Sequence, residues 1–104
     1  MILNRETLQL LLEGIAGEGH VWFQPPANIH MQYPAIVYSL SNIQNDHANN
    51  MVYKQARSYT LTVIDRDPES SISDVVSMLP EAKFDRLYTA DNLNHFVYNI
   101  YTMK

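Results

Sequence analysis

The apolar residues of this chain change their spacing abruptly at residues 65–68. Before this point Tyr59, Leu61 and Val63 alternate with polar residues, which is the period-two pattern of a strand that buries one face. After it the apolar residues follow helical spacing, at Ile72, Val75, Val76 and Leu79. A strand followed at once by an amphipathic helix buries both apolar faces when the helix packs on the sheet, so the pattern favours a mixed fold.

The joint between the two patterns, Asp65-Arg66-Asp67-Pro68, has two interpretations. Asp67 stands at an N-cap position, and Pro68 and Glu69 suit the first helical turn. A metal-binding D-x-D motif would instead need further oxygen ligands, and no third carboxylate is placed to complete one. We therefore predict that the joint is architectural, with Asp67 as the N-cap. Asp65 and Arg66 are then expected to reach water or a neighbouring molecule.

Similar patterns divide the rest of the chain into one further helix and several strands. Asn4 is a suitable N-cap for a first helix, whose apolar face is Leu8, Leu11, Leu12 and Ile15. The second helix ends at Pro80, and strands are predicted at His20–Gln24, Ala35–Ser41, Arg57–Asp65, Phe84–Tyr88 and Leu93–Met103. The order is α-β-β-β-α-β-β, an α+β fold with two helices packed on one face of a mainly antiparallel sheet. Its 104 residues fit a single domain over 1–104.

An asparagine-rich segment, residues 42–56, separates two of these strands. Clustered Asn and Asp favour turns, because their side chains bond to nearby backbone and tolerate a left-handed conformation. We expect a polar excursion here, either a solvated loop or an extended hairpin arm around Met51-Val52-Tyr53. In an assembly such a protrusion would reach a neighbouring subunit, which makes Tyr53 an interface candidate.

The predicted hairpin that closes the chain carries a second group of candidates. Strand alternation predicts that Asp85 and Arg86 point to opposite sides and do not pair, and that Arg86 shares its side with Phe84 and Tyr88. The favoured interpretation is an ordinary hairpin with a polar rim. The alternative is a hydrogen-bonding edge for another subunit, formed by Arg86, Asp91, Asn92 and His95.

Composition argues against several classes of partner. The net charge is −4 and the seven basic residues are scattered, so we expect no specific nucleic-acid binding. The absence of cysteine excludes disulfides and thiolate sites and fits synthesis in a reducing cytoplasm. No signal peptide and no apolar run of ~20 residues is present, so we expect no membrane contact. Low charge with seven tyrosines fits either a partner-covered surface or a tyrosine-rich core.

Residues able to do chemistry form no recognisable motif. The histidines lie in different predicted elements without metal-ligand spacing, at His20, His30, His47 and His95. No G-x-S-x-G elbow surrounds the serines. Gly14–Gly19 follows a helix and so provides no phosphate cradle. We therefore expect no catalytic, metal or cofactor site and no enzymatic activity. The alternative is a small hydrolase or nuclease that uses Asp65, Asp67 and a histidine.

Three blocks of the chain, which together span about residues 33–101, resemble a known family. "YPAIVYSLS", "YTLTVIDRDPESSISDVVSMLP" and "FDRLYTADNLNHFVYNIY" are similar to the small tail-completion proteins of long-tailed bacteriophages. These are variously called tail terminator, head–tail joining or minor tail proteins. The first thirty residues and the asparagine-rich segment match only loosely.

The resemblance implies a structural protein of the virion tail, made in the host cytoplasm. It implies a homohexameric ring that caps the tail tube, stops tube polymerisation and meets the head connector, with DNA passing through the central hole. The implied partners are copies of itself, the tail tube protein and the connector. The alternative is a monomeric adaptor of the virion neck that binds a single partner. The subunit-interface candidates are Asp65, Arg66, Arg86, Asp91, Asn92, His95 and Tyr53.

Overall fold

A computed structural model of the protein describes residues 2–48 and 51–103, and it describes 45–48 and 51–55 by their backbone alone. Within these residues lie two helices and five strands. In chain order they are α1 (Arg5–Ala16), β1 (Val21–Phe23), β2 (Ala35–Ala48), β3 (Met51–Asp65), α2 (Ser71–Val76), β4 (Ala82–Ala90) and β5 (Leu93–Thr102). The predicted order and the α+β class are confirmed.

The strands form one sheet in the order β1-β2-β3-β5-β4. β1 runs parallel to β2, and the other neighbouring strands are antiparallel. β3 is the central strand and pairs with β2 on one side and β5 on the other. β4 closes one side of the sheet as an edge strand. The sheet is therefore mainly antiparallel, as predicted.

Both helices pack on the same face of this sheet. α1 contributes Leu8 and Leu12, and α2 contributes Val76, all fully buried. They cover alternate residues of the long strands, which are Ile36, Tyr38, Tyr59, Leu61, Val63, Phe96, Tyr98 and Ile100. Burying each Val, Leu, Ile or Phe side chain of this set contributes about 1.5–3 kcal/mol. The apolar residues that alternate along the sequence thus form the buried face of the sheet.

α1 begins where the sequence predicts. Asn4 is extended, and its Oδ1 accepts a hydrogen bond from the Thr7 N–H at 2.9 Å, which satisfies one of the free donors of the first turn. Gly17 ends the helix at a φ of 100°, a conformation that glycine adopts without steric cost. Leu11, predicted on the apolar face, is exposed because it lies at the margin of the buried stripe. Among the described residues, neither helix has the length and apolar character needed to cross a bilayer.

The predicted start and end of α2 are wrong. Its N-cap is Ser70, whose Oγ accepts a hydrogen bond from the Ser73 N–H at 3.2 Å, and the helix begins one residue later. Asp67 lies in the preceding turn, where its Oδ1 accepts from the Glu69 N–H at 2.9 Å. Regular helix ends at Val76, before the predicted Pro80, because the next turns tighten into three-residue hydrogen bonds. Ser70 is buried and Asp67 is exposed, so core packing selects between two acceptable caps.

The asparagine-rich segment forms a hairpin arm rather than a loop. β2 and β3 stay paired from Asn42↔Ser58 to Ala48↔Met51, so both strands run further than predicted. β1 reaches only Tyr38 on the β2 side, and β5 reaches only Arg57 on the β3 side. We call residues 42–56 the arm; its positions 49 and 50 lie outside the described residues. The molecule is accordingly elongated, with extents of 52 × 27 × 23 Å.

Candidate subunit interface

Most of the predicted interface residues lie at the end of the sheet opposite the arm. β3 runs from the arm to Asp65, and Asp65 pairs with Asn94 at the start of β5. Residues 65–66 and 91–95 therefore share one end, which we call the turn end. The Asn94 Nδ2 group ties it together by donating to the backbone oxygens of Asp65 at 3.2 Å and Arg66 at 3.3 Å.

The carboxylates of the turn end are used to hold the backbone. The Oδ1 atom of Asp65 accepts from the Asp67 N–H at 3.0 Å, and the Oδ1 atom of Asp67 accepts from the Glu69 N–H at 2.9 Å. Two successive turns of this kind shape the link between β3 and α2. The guanidinium of Arg66 lies over the Tyr33 ring at 5.9 Å and remains exposed. These contacts agree with the prediction that the joint is architectural, although Asp67 is not the helix cap.

Asp91 and Asn92 form the two-residue turn between β4 and β5. Their φ angles are 53° and 61°, so both lie in the left-handed region. This is the geometry of a type I′ hairpin, which favours Asn, Asp and Gly because their side chains tolerate positive φ. Both residues are exposed at the tip of the turn. Their identity is explained by the turn alone, and contact with another subunit remains a prediction.

Arg86 and His95 are joined through the Tyr88 ring on the sheet face away from the helices. Tyr88 stacks on His95 with ring centroids 4.6 Å apart and planes 11° apart. The guanidinium of Arg86 lies 6.0 Å from the centre of the Tyr88 ring. The Nδ1 atom of His95 is also 3.2 Å from the backbone oxygen of Leu93. The stack presents a cation and two flat rings side by side, a surface suited to protein contact.

A bulge in β4 overturns part of the predicted facing of its side chains: Arg86 shares its side with Tyr88, as predicted, but not with Phe84. The register shifts between Phe84 and Arg86, which sets Phe84 opposite Tyr98 and Arg86 opposite Val97. Phe84 therefore faces the helix side, while Arg86 and Tyr88 face the other side. The prediction that Asp85 and Arg86 do not pair is also wrong, since Arg86 Nη1 lies 2.8 Å from Asp85 Oδ2. Inserting one extra residue into a strand reverses the faces that alternation predicts.

The exposed apolar side chains of β4 were missed by sequence reasoning. Phe84 is 57% exposed and Leu87 is 54% exposed on the helix face, and Tyr88 is 44% exposed on the opposite face. The turn that follows α2 also exposes Met78, at 84%. The helices cover β2, β3 and β5 but leave this strand bare. The sequence contains one sign of this arrangement. Phe84 and Leu87 are three residues apart, which departs from strand alternation and indicates an irregularity in β4.

A cleft of about 480 Å³ lies where the arm leaves the sheet, lined by Asn4, Arg5, Glu6, Phe23, Leu40, Arg57 and Tyr59. The Arg5 guanidinium lies 4.7 Å from the centre of the Phe23 ring, and its Nη1 donates to the Tyr38 hydroxyl at 3.4 Å. That hydroxyl donates in turn to Gln9 Oε1. Burial raises the pKa of the Tyr38 phenol above its ordinary value, and the hydrogen bond from Arg5 opposes this in part.

Tyr53 belongs to the arm, at the far end of the sheet from the other candidates. Its backbone lies in β3, and its side chain is outside the described part of the chain. The structure therefore separates the predicted residues into two groups: five lie at the turn end, with Arg86 connected to them through Tyr88, and Tyr53 lies in the arm. Two distant groups on one chain are compatible with contacts to two different neighbours.

Among the side chains that the structure describes, in residues 2–44 and 56–103, no three His, Asp or Glu side chains are grouped so that they could hold a metal ion. Comparison with known proteins gives no family assignment either. The sequence matches no protein-family model and no curated protein. The resemblance of residues 33–101 to phage tail-completion proteins therefore remains a prediction.

Proposed function

We propose that this protein is a structural component of a phage virion that caps the tail tube, stops its polymerisation and joins it to the head connector. It acts as a homohexameric ring, by shape and adhesion and without catalysis. It is made in the host cytoplasm and resides in the virion tail. The resemblance of three sequence blocks supports this role, and the α+β fold is the one that the resemblance implies.

The observation that carries the proposal is that one chain bears two unlike contact features. The arm protrudes from one end of the sheet, and β4 leaves a bare apolar edge at one side. A closed ring needs heterologous contacts, in which the surface beside one neighbour differs from the surface beside the other. Within the described residues the two strands of the arm pair only with each other beyond Asn42 and Arg57, so the arm is available to a neighbouring subunit.

The charge of the chain is compatible with the passage of DNA through such a ring. The net charge is −4, and the seven basic residues are distributed along the sequence. A lumen rich in cations would bind phosphates and slow the passage of DNA, whereas an acidic or neutral lumen would not.

The experiment is to image tail tubes that polymerise with and without the purified protein, and to measure its mass by native mass spectrometry. We expect hexamers, or monomers that assemble on tube ends, together with tubes of limited length. Bovine serum albumin at equal concentration controls for crowding. Tubes that keep lengthening in the presence of the folded protein would rule out capping.

A second candidate function is a monomeric adaptor of the virion neck that binds one partner. The cleft at the base of the arm favours it, because its wall combines the Arg5 guanidinium with the Phe23 and Tyr59 rings in one concave site. Light scattering at micromolar concentration, with and without tube ends, separates the two functions. An adaptor stays monomeric under both conditions.

A further inference from the structure

The outer side of β4 is a strand edge able to accept another strand. Asp91 and Asn92 form a two-residue turn, so the flanking residues Ala90 and Leu93 are a hydrogen-bonded pair. Hydrogen-bonded and non-bonded pairs alternate along an antiparallel ladder, which directs the backbone groups of Leu87 and Thr89 away from β5. Within the described residues no strand pairs with this side of β4.

Exposed apolar side chains lie on both faces of this edge. Phe84 and Leu87 project on the helix side, and Tyr88 projects on the other side, each about half exposed. Natural edge strands are usually protected by charge, proline or shortness, because an exposed apolar edge invites another strand. β4 is nine residues long and contains no proline. Its charged residues, Lys83, Asp85 and Arg86, lie in its first half beside the bulge, so residues 87–90 carry none of these protections. An added strand would cover apolar surface on both sides of the sheet at once.

The arm is the strand source that the same chain supplies. Its two strands pair with each other but, within the described residues, with no third strand beyond Asn42 and Arg57. A two-stranded hairpin alone is at best marginally stable in water, so the arm gains stability from a further strand. Seven residues of β2 (42–48) and six of β3 (51–56) have one side without a partner strand among the described residues, a length that fits within the nine residues of β4. The opposite edge strand, β1, has only three residues and is therefore too short to pair with the full length of an arm strand.

Charge favours a second copy of this chain as the partner. The arm contains Asp46 and Lys54, which cancel, and β4 contains Lys83, Arg86 and Asp85, which leave one positive charge. The net charge of the whole chain is −4, so the residues outside the arm and β4 together carry −5. Two copies repel each other through most of their surfaces, and this repulsion is absent between the arm of one copy and the β4 edge of another.

We propose that the arm of one copy adds to the outer edge of β4 in a second copy and extends its sheet by strand addition. The inference rests on the self-association contained in the proposed function, and it does not depend on tail capping. The contact is heterologous, because arm and edge lie at different places on the chain, so each copy gives its arm to one neighbour and accepts the arm of another.

The test uses two variants that each lack one half of the contact. Thr89→Pro removes an outward N–H at an exposed edge position that proline tolerates, and Thr89→Val is its matched control with the N–H retained. The armless variant replaces residues 44–56 by Asn-Gly, which keeps the Ile43↔Arg57 pair as the closing pair of a two-residue turn. Circular dichroism and thermal unfolding establish that each variant is folded.

Sedimentation velocity then gives the expected pattern. The wild type and Thr89→Val assemble, whereas Thr89→Pro raises the dissociation constant about tenfold or more and the armless variant is monomeric. Mixing Thr89→Pro with the armless variant gives a 1:1 dimer and nothing larger, since one copy retains the arm and the other retains the edge. Hydrogen exchange in that dimer shows the amides of Leu87 and Thr89 of the armless copy protected.

Three results would overturn the inference. They are undiminished assembly of Thr89→Pro, a mixture that stays monomeric although both variants are folded, and a wild type that remains monomeric at high micromolar concentration. If Thr89→Pro does not fold, Leu87→Glu replaces it, because it places a charge on the apolar edge and leaves the backbone unchanged. A monomeric wild type that still caps tubes would remove this interface and leave the proposed function standing.

Discussion

Ser73 of α2 and Tyr98 of β5 are joined by two buried hydrogen bonds. Their hydroxyl oxygens lie 2.7 Å apart, and the Tyr98 hydroxyl also donates to the backbone oxygen of Ser73 at 3.1 Å. The Tyr98 ring then meets Phe84 of β4 edge to face, with centroids 5.5 Å apart. One side chain thus links the short helix, the sheet and the bare edge strand. α2 has only six residues, so its position depends on such anchors rather than on its own length.

We expect Tyr98→Phe to lower the free energy of unfolding by about 1–3 kcal/mol, because it leaves buried polar atoms of Ser73 without their partner. Urea denaturation measures this change. Ser73→Ala and the double variant complete a thermodynamic cycle. The cost of the double variant should be smaller than the summed costs of the single ones, since both single variants remove the bond between the two hydroxyl groups. A Tyr98→Phe variant as stable as the wild type would contradict the anchoring role.

The two possible caps of α2 give a direct comparison. Ser70→Ala should lower the free energy of unfolding by about 1 kcal/mol, because it removes the acceptor for the Ser73 N–H. Asp67→Ala should change it by about 0.5 kcal/mol or less, since the lost bond lies in an exposed turn. Thermal unfolding of both variants under one buffer condition decides. The reverse order of costs would restore Asp67 as the cap.

Substitutions of Asn92 can distinguish a conformational role of this residue in the turn from a role in contact with another subunit. Asn92→Gly should preserve stability, because glycine adopts the φ of 61° without strain and Asp-Gly suits this turn. Asn92→Val should cost about 1–2 kcal/mol, the penalty for a side chain branched at Cβ in the left-handed region. Chemical denaturation gives the stabilities and sedimentation the assembly. Loss of assembly in a stable Asn92→Gly variant would show that the Asn92 side chain contacts a neighbour.

The raised pKa of Tyr38 leads us to expect that the protein loses stability at alkaline pH. Its pKa is raised in the folded state, so above the ordinary value near 10.0 the unfolded chain loses a proton that the folded chain keeps. The free energy of unfolding then falls as pH rises, by up to about 1.4 kcal/mol per pH unit for this group, until pH passes the folded pKa. Below the ordinary value the contribution is fully present. Urea midpoints from about pH 8 to pH 11 should fall less steeply in Tyr38→Phe, and equal slopes would refute the assignment.

Local patterns in the sequence predicted most of the elements correctly. The alternation of Tyr59, Leu61 and Val63 indicated a buried strand face, and Asn4 indicated the start of α1; both are confirmed. These features depend on residues within one or two turns of each other, where backbone geometry and side-chain capping act. The mixed fold class followed from the change of period, since a strand and an amphipathic helix in succession share one core.

Tertiary packing decided the features that matter for the candidate interface. Ser70 rather than Asp67 caps α2, because only one of two chemically adequate residues comes to lie against the core. The bulge before Arg86 turns Phe84 to the helix face, which strand alternation does not reveal. The bare edge of β4 exists because both helices pack over the other strands. The sequence by itself determined the periods and the caps that neighbouring residues form, whereas sheet order, register and exposure arise from contacts between distant segments, whose energies no local pattern contains.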